Sequence, residues 1–251
     1  MVEPIGITGT SITIVGLLYN TCQAVCNIIS SYKKAPKEYQ DLRIGFQNLQ
    51  DALGSLKESL SSVQSSTLSP EQQDSLAEIE RPLATCSVAC ESFQAELSNV
   101  ASHSTQDQTA FWDRLCLRFN ESDVAFLQDK LISTKATILV ALGVLNLRTS
   151  TDNQIAFRDF QDSTVVAMSE FSGRVEALNL AINSLSVTGV SITPEVLRVV
   201  QRTLGEHGDL LKQCLTFCAT ALNGANAAVP GRRVKHAKAV EHARQIVSDL
   251  N

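Results

Sequence analysis

Residues 4–32 read PIGITGTSITIVGLLYNTCQAVCNIISSY, and this run without a charged residue, the longest of its kind in the chain, decides the fold. Ile12, Val15, Leu18/Tyr19, Cys22, Val25/Cys26 and Ile29 recur at three and four residues, the period of one helix face. Thr13, Gly16, Asn20, Gln23, Asn27 and Ser30 fill the opposite face with small or polar groups. The stretch is an amphipathic helix whose wide apolar side asks for neighbours around most of its circumference. Length alone would let it cross a bilayer, but there the amides of Asn20, Gln23 and Asn27 would need partners. A core helix is therefore the expectation, and a membrane-active helix the alternative. No secretory signal is expected, because Glu3 stands where a positive n-region belongs and no A-x-A-like cleavage site follows.

The same period continues outward. Lys33-Lys34-Ala35-Pro36 closes the first helix, and Tyr39, Leu42, Phe46, Leu49, Leu53, Leu56, Leu60 and Val63 form the seam of a second. Ser65 to Thr67 is a loop, and Ser69-Pro70-Glu71-Gln72 is a capping-box start with proline at the first helical position. Leu76, Ile79, Leu83, Cys86, Cys90, Phe93, Leu97 and Val100 keep register across Pro82. One kinked helix is expected there, with two helices joined at Arg81 as the alternative. Ala101 to Gln108 is loop-like, and Phe111, Trp112, Leu115 and Phe119 mark a short helix clasped across the bundle. Asn120 to Asp123 opens a long helix bearing Val124, Leu127, Leu131, Thr134, Ile138, Ala141 and Leu145.

Thr149 to Asn153 is the candidate subdomain joint. Beyond it Phe157, Phe160, Thr164, Ala167/Met168, Phe171, Val175, Leu178, Ile182 and Leu185 share a face. Thr193-Pro194-Glu195 begins the last long helix, with Leu204, His207, Leu211, Cys214, Cys218 and Leu222 on one side and Asn223-Gly224 as its stop. No strand pattern occurs in the sequence. The expected fold is all-α: a bundle of long antiparallel helices over residues 1–223, then a basic tail over 224–251 with Arg232, Arg233, Lys235, His236 and Lys238.

A chain of 251 residues with 44% hydrophobic and 19% charged residues can build a substantial core. Its net charge of -5 argues against nucleic acid as a partner, which asks for a basic footprint. Seven Cys is an odd number and points to a reducing, cytoplasmic setting, so the sequon Asn120-Glu121-Ser122 carries little weight. Cys22/Cys26, Cys86/Cys90 and Cys214/Cys218 each place two thiols on one helix face, and two such pairs meeting could hold a tetrahedral metal. All six fall on core stripes, so they read first as small hydrophobes, and no metal or cofactor is expected. His207 reads as a core histidine. His103 and Cys116 could serve as base and nucleophile, but their spacing matches no catalytic pattern. No P-loop, dinucleotide fingerprint, HExxH or GxSxG occurs, so no enzyme is expected.

Pro4-Ile5-Gly6-Ile7 before an uncharged helix, Ala35-Pro36-Lys37-Glu38 before a Leu-rich one, and Leu83, Cys86, Cys90 and Phe93 in one block form an ordered set. Leu131-Ile132-Ser133-Thr134-Lys135-Ala136-Thr137 with Ala141-Leu142, and Ala243-Arg244-Gln245-Ile246-Val247, extend it over nearly the whole chain. The set resembles the fungal N-terminal domain of STAND (NLR-like) proteins, a HeLo-like helical family also named after azaphilone pigment biosynthesis cluster protein L. The resemblance implies a free-standing, non-catalytic accessory protein of a fungal polyketide pigment gene cluster, acting on a protein partner through helix contacts. It implies as the alternative a signalling or cell-death module whose first helix enters a membrane. Gly6, Gly9 and Gly16 form no GxxxG, which weighs against a pore. The residues expected to meet a partner or membrane are Ile5, Ile7, Ile12, Val15 and Leu18 of the first helix and Arg232, Arg233, Lys235 and Lys238 of the tail.

Overall fold

The computed structural model describes residues 7–62, 70–103, 108–149, 153–187 and 194–228. These form eight α-helices and no strand: α1 (Ile7–Ser31), α2 (Lys37–Ser62), α3 (Pro70–Glu78), α4 (Glu80–Ser102), α5 (Gln108–Arg118), α6 (Glu121–Thr149), α7 (Asn153–Val187) and α8 (Pro194–Ala228). The all-α expectation holds. The helices divide into two compact units, and the division runs through α6 between Leu142 and Gly143. α1, α2, α4, α5 and the first part of α6 make one unit; α3, the end of α6, α7 and α8 make the other. The joint expected at 149–153 overlaps residues 150–152, which lie outside the described residues.

α1 sits at the centre of the first unit, packed on α2 and α4. Val15, Leu18, Cys22 and Val25 have no exposed surface and Ile29 only 2%, so the apolar stripe read from the sequence is the buried one. Thr13, Asn20, Gln23, Asn27 and Ser30 face outward. Cys26 Sγ meets the Arg43 carbonyl at 3.7 Å while Tyr19 abuts Gly54, which makes α1 and α2 antiparallel. Ser11 donates to Glu80 at 2.8 Å near the start of both helices, so α1 and α4 run parallel, each antiparallel to α2 as an up-down bundle requires.

The stretch around Pro82 is two helices, not one kinked helix. α3 stops at Glu78 and α4 restarts at Glu80, with Ile79 between them still in helical backbone conformation (φ -69, ψ -21). A proline ring collides with the carbonyl four residues back, here that of Glu78, so the break relieves Pro82 and places it in the first turn of α4. There its missing N–H is one that would lack an intrahelical partner anyway. The apolar register survives because the interruption is a single helical residue.

α5 closes the α1–α2 corner, as expected of a clasp. Phe111 stacks on Tyr32 with ring centroids 3.7 Å apart, and Trp112 Nε1 donates to the Lys33 carbonyl at 3.1 Å. Beside that carbonyl Lys34 adopts φ 59, a left-handed conformation that costs a non-glycine residue about 1 kcal/mol. The Trp112 contact and the ring stack hold the turn that requires it. Asn120 and Asp123 cap α6 reciprocally, each side chain accepting from the other's backbone N–H at 3.0 and 3.1 Å.

In the second unit α7 and α8 are antiparallel, joined across residues 188–193, and Gln161 Nε2 donates to Asn226 Oδ1 at 3.1 Å. α8 does not stop at Asn223-Gly224 but runs to Ala228. Leu222 and Ala225 are buried, and together with the Gln161 bond they outweigh the cost of a helical glycine, about 1 kcal/mol. Gly143 is needed for another reason: a Cβ there would lie 2.6 Å from the Phe160 ring.

Candidate functional site

The residues expected to make contacts divide by position. Ile5 and Arg232, Arg233, Lys235 and Lys238 lie outside the described residues, as does the side chain of Ile7. Ile12 is half-buried, while Val15 and Leu18 are fully enclosed against α2 and α4. Val15 and Leu18 are therefore core side chains in this conformation, and α1 would have to leave its seat before they could touch a membrane. Among the described side chains of α1, the large apolar one that is exposed is Leu17, at 55%. Periodicity missed it because it neighbours Leu18 and stands off the stripe.

Among the described residues two helices are long and apolar enough to cross a membrane. Ser11–Ser31 and Glu121–Leu147 each have mean hydropathy 1.5, with 39% and 50% of their windows buried. In α6 the apolar residues surround the helix: Leu131, Ile138 and Ala141 are buried, whereas Ile132 and Leu139 are exposed. Ile132 and Leu139 lie two turns apart on one stripe, an apolar surface that the core does not use.

Six of the seven thiols are buried, and Cys116 is exposed. Cys86 and Cys90 lie with their sulfurs 3.8 Å apart, and Cys22 of α1 adjoins Cys90. Cys90 is held well above the ordinary thiol value, first by donating toward Cys22 and Cys86 and then by burial. Burial likewise raises Cys218, and pushes Cys26 up to about 11. Thiolate is the form that binds metals and attacks electrophiles, so Cys26, Cys90 and Cys218 sit in their inert state at neutral pH, whereas the hydrogen bond with Cys90 shifts Cys86 below the ordinary thiol value. Among the described residues no three His, Cys, Asp or Glu side chains are placed to hold a metal ion.

Raised thiol values carry a sign for stability. The folded state holds the Cys26 proton more tightly than the unfolded chain does. The associated stabilisation is complete below the ordinary thiol value of 9.0 and is lost as pH rises through about 11. The urea midpoint should therefore fall between pH 9 and 11 and recover on return to pH 8. Cys26→Ser should flatten that decline, and equal declines in both proteins would remove Cys26 as a cause.

His103 and Cys116 engage different partners. His103 Nδ1 lies 2.8 Å from the Asn99 carbonyl and 3.0 Å from Ser102 Oγ, and its own carbonyl accepts from Arg114. It lines a cleft of about 760 Å³ with Asn99, Val100, Arg114, Leu117 and Arg118. Arg118 is occupied by Glu96 at 2.8 Å. Cys116 adjoins Tyr39, whose hydroxyl is raised above its usual range by burial and then by that thiol. His207 is buried on α8, within the core stripe.

These features define an all-α protein. The chain matches the family described as pigment biosynthesis cluster protein PigL N-terminal over residues 2–219, and it belongs to that family. No curated protein and no solved structure matches it.

Proposed function

We propose that the protein is a non-catalytic, cytoplasmic accessory factor of a fungal polyketide pigment gene cluster of the azaphilone kind, acting by helix-mediated contact with a protein partner. The observation that carries this reading is the family match over residues 2–219. Leu17 on α1 and Ile132 and Leu139 on α6 supply exposed apolar surface for such a contact. Gene deletion in a pigment-producing host, followed by complementation, tests it. Pigment should fall on deletion and return fully with a Cys116→Ser/His103→Ala double variant, but not with Leu139→Asp. Pigment unaffected by deletion, or lost with the double variant, would overturn the proposal.

A second reading, a HeLo-like module whose α1 enters a membrane, is favoured by the uncharged Ser11–Ser31 segment, only 39% of whose window is buried. The two readings differ in whether α1 must stay in its seat.

A further inference from the structure

Three thiols from two helices of the first unit meet with no exposed surface. Cys86 and Cys90 stand one turn apart on α4 with their sulfurs 3.8 Å apart, and Cys22 of α1 adjoins Cys90. Helix register explains the meeting. α1 and α4 run parallel from the Ser11–Glu80 bond, and Cys22 and Cys90 lie about 16 and 15 Å further along their axes. From α6, Thr134 adjoins Cys86 with a fully buried hydroxyl that has no hydrogen-bond partner of ordinary length. Half-buried Lys130, one turn earlier on α6, brings its charge toward the same thiol. A core of small hydrophobes asks for neither the thiol contact nor the unmet hydroxyl.

These neighbours give the three sulfurs different roles. The Cys90 hydrogen bond first, then the Thr134 hydroxyl and the Lys130 charge, favour the Cys86 thiolate against its burial. Cys90 holds its proton, first through its contact with Cys22. Cys26, one turn beyond Cys22, points instead to α2, where its thiol meets the Arg43 carbonyl at 3.7 Å.

We propose that Cys22, Cys86 and Cys90 form a cross-linking site driven by a small hydroperoxide, in which Cys86 takes the oxidant and the product is a Cys22–Cys90 disulfide tying α1 to α4. The Cys86 thiolate attacks the peroxide, the O–O bond breaks, and an alcohol (or water) leaves, giving the sulfenic acid. Cys90 attacks that sulfur, and its proton leaves with the hydroxyl as water. Residues one turn apart hold their Cβ atoms about 5–6 Å apart, whereas a disulfide needs about 3.8 Å, so the Cys86–Cys90 bond is strained. Cys22 then attacks Cys90 and passes its proton to Cys86, whose low thiol value makes it the better leaving group. In total two thiols yield two electrons and two protons, and the hydroperoxide becomes an alcohol and water. The cross-link holds α1 in its seat, so oxidation opposes any release of that helix.

The full chain carrying Cys116→Ser, which removes the exposed thiol, tests this with hydrogen peroxide at neutral pH. Remaining thiols are alkylated in urea and the disulfides mapped by mass spectrometry. A Cys22–Cys90 disulfide should accumulate, revert with dithiothreitol, and raise the urea midpoint read from Trp112 emission. Adding Cys86→Ser should slow its formation at least about tenfold, because the reactive thiolate is gone. Thr134→Val, which keeps nearly the same shape and removes the hydroxyl, should slow it several-fold. Cys22→Ser should stop the reaction at Cys86–Cys90. Peroxide that leaves the three thiols reduced, or pairs them with Cys26, Cys214 or Cys218, would overturn the proposal. So would a Cys22–Cys90 disulfide that forms as fast in the Cys86→Ser and Thr134→Val proteins as in their parent.

Discussion

Leu53→Asp should lower the unfolding free energy by about 4 kcal/mol or more, a loss found only where an unpaired charge is forced into a core. Leu53 has no exposed surface and lies on α2 beside Gly54, where α1 comes close enough for Tyr19 to make contact. The substitution removes a buried leucine, worth about 2 kcal/mol, and puts a carboxylate into the core in its place. Leu131→Asp should behave alike, because Leu131 is 1% exposed and its side chain lies against Gly45 of α2. Val88→Asp on α4 serves as the control: with Val88 69% exposed, its effect should stay within about 0.5 kcal/mol. Urea midpoints of the three variants measure this. An unchanged midpoint for both Leu variants would show that the core faces are misassigned.

The helix faces were legible because burial follows periodicity. In α1, Val15, Leu18, Cys22, Val25, Cys26 and Ile29 are all buried at the positions their spacing picks out. Helix boundaries were less legible, because a local stop signal competes with tertiary burial that a sequence does not display. Asn223-Gly224 is a sound stop by local chemistry, yet Ala225 has a buried place to reach and Asn226 has Gln161 to meet. At Pro82 the reverse occurred: the steric rule prevailed, while the unbroken register concealed it because the interruption is one helical residue, Ile79.

The candidate site was read less well than the fold, for a related reason. Apolar residues at helical spacing report what a core takes, and contact surfaces are made from what it leaves. Leu17, Ile132 and Leu139 each stand beside a buried residue (Leu18, Leu131 and Ile138), so a periodicity reading assigns them to the flank of the stripe. Only packing separates the two sets. The same logic explains why Val15 and Leu18, prominent in the sequence, are unavailable on the surface.

Deleting residues 1–32 should abolish the cooperative unfolding of the first unit. The deletion strips α2 and α4 of their central neighbour, since Val15, Leu18, Cys22, Val25 and Ile29 are each 2% exposed or less. At about 2 kcal/mol per side chain their burial contributes on the order of 10 kcal/mol, comparable to the whole stability of a typical domain. The chain has 1 Trp, Trp112 on α5, and its buried ring reports on this unit alone. Its emission should therefore shift to the red in the truncated protein and show no melting transition. The membrane-active reading predicts the opposite pair of results: a truncated chain that keeps the native Trp112 emission and melt, and an intact chain that leaks dye from anionic vesicles. Physical chemistry favours the first outcome. Within α1 no cation draws the helix to anionic lipid, and Lys33 and Lys34 beyond its end add about 1 kcal/mol each at most. That attraction does not offset the burial lost when α1 leaves its seat. A native-like melt of the truncated chain together with leakage by the intact one would mean that α1 is held far more weakly than its buried surface implies.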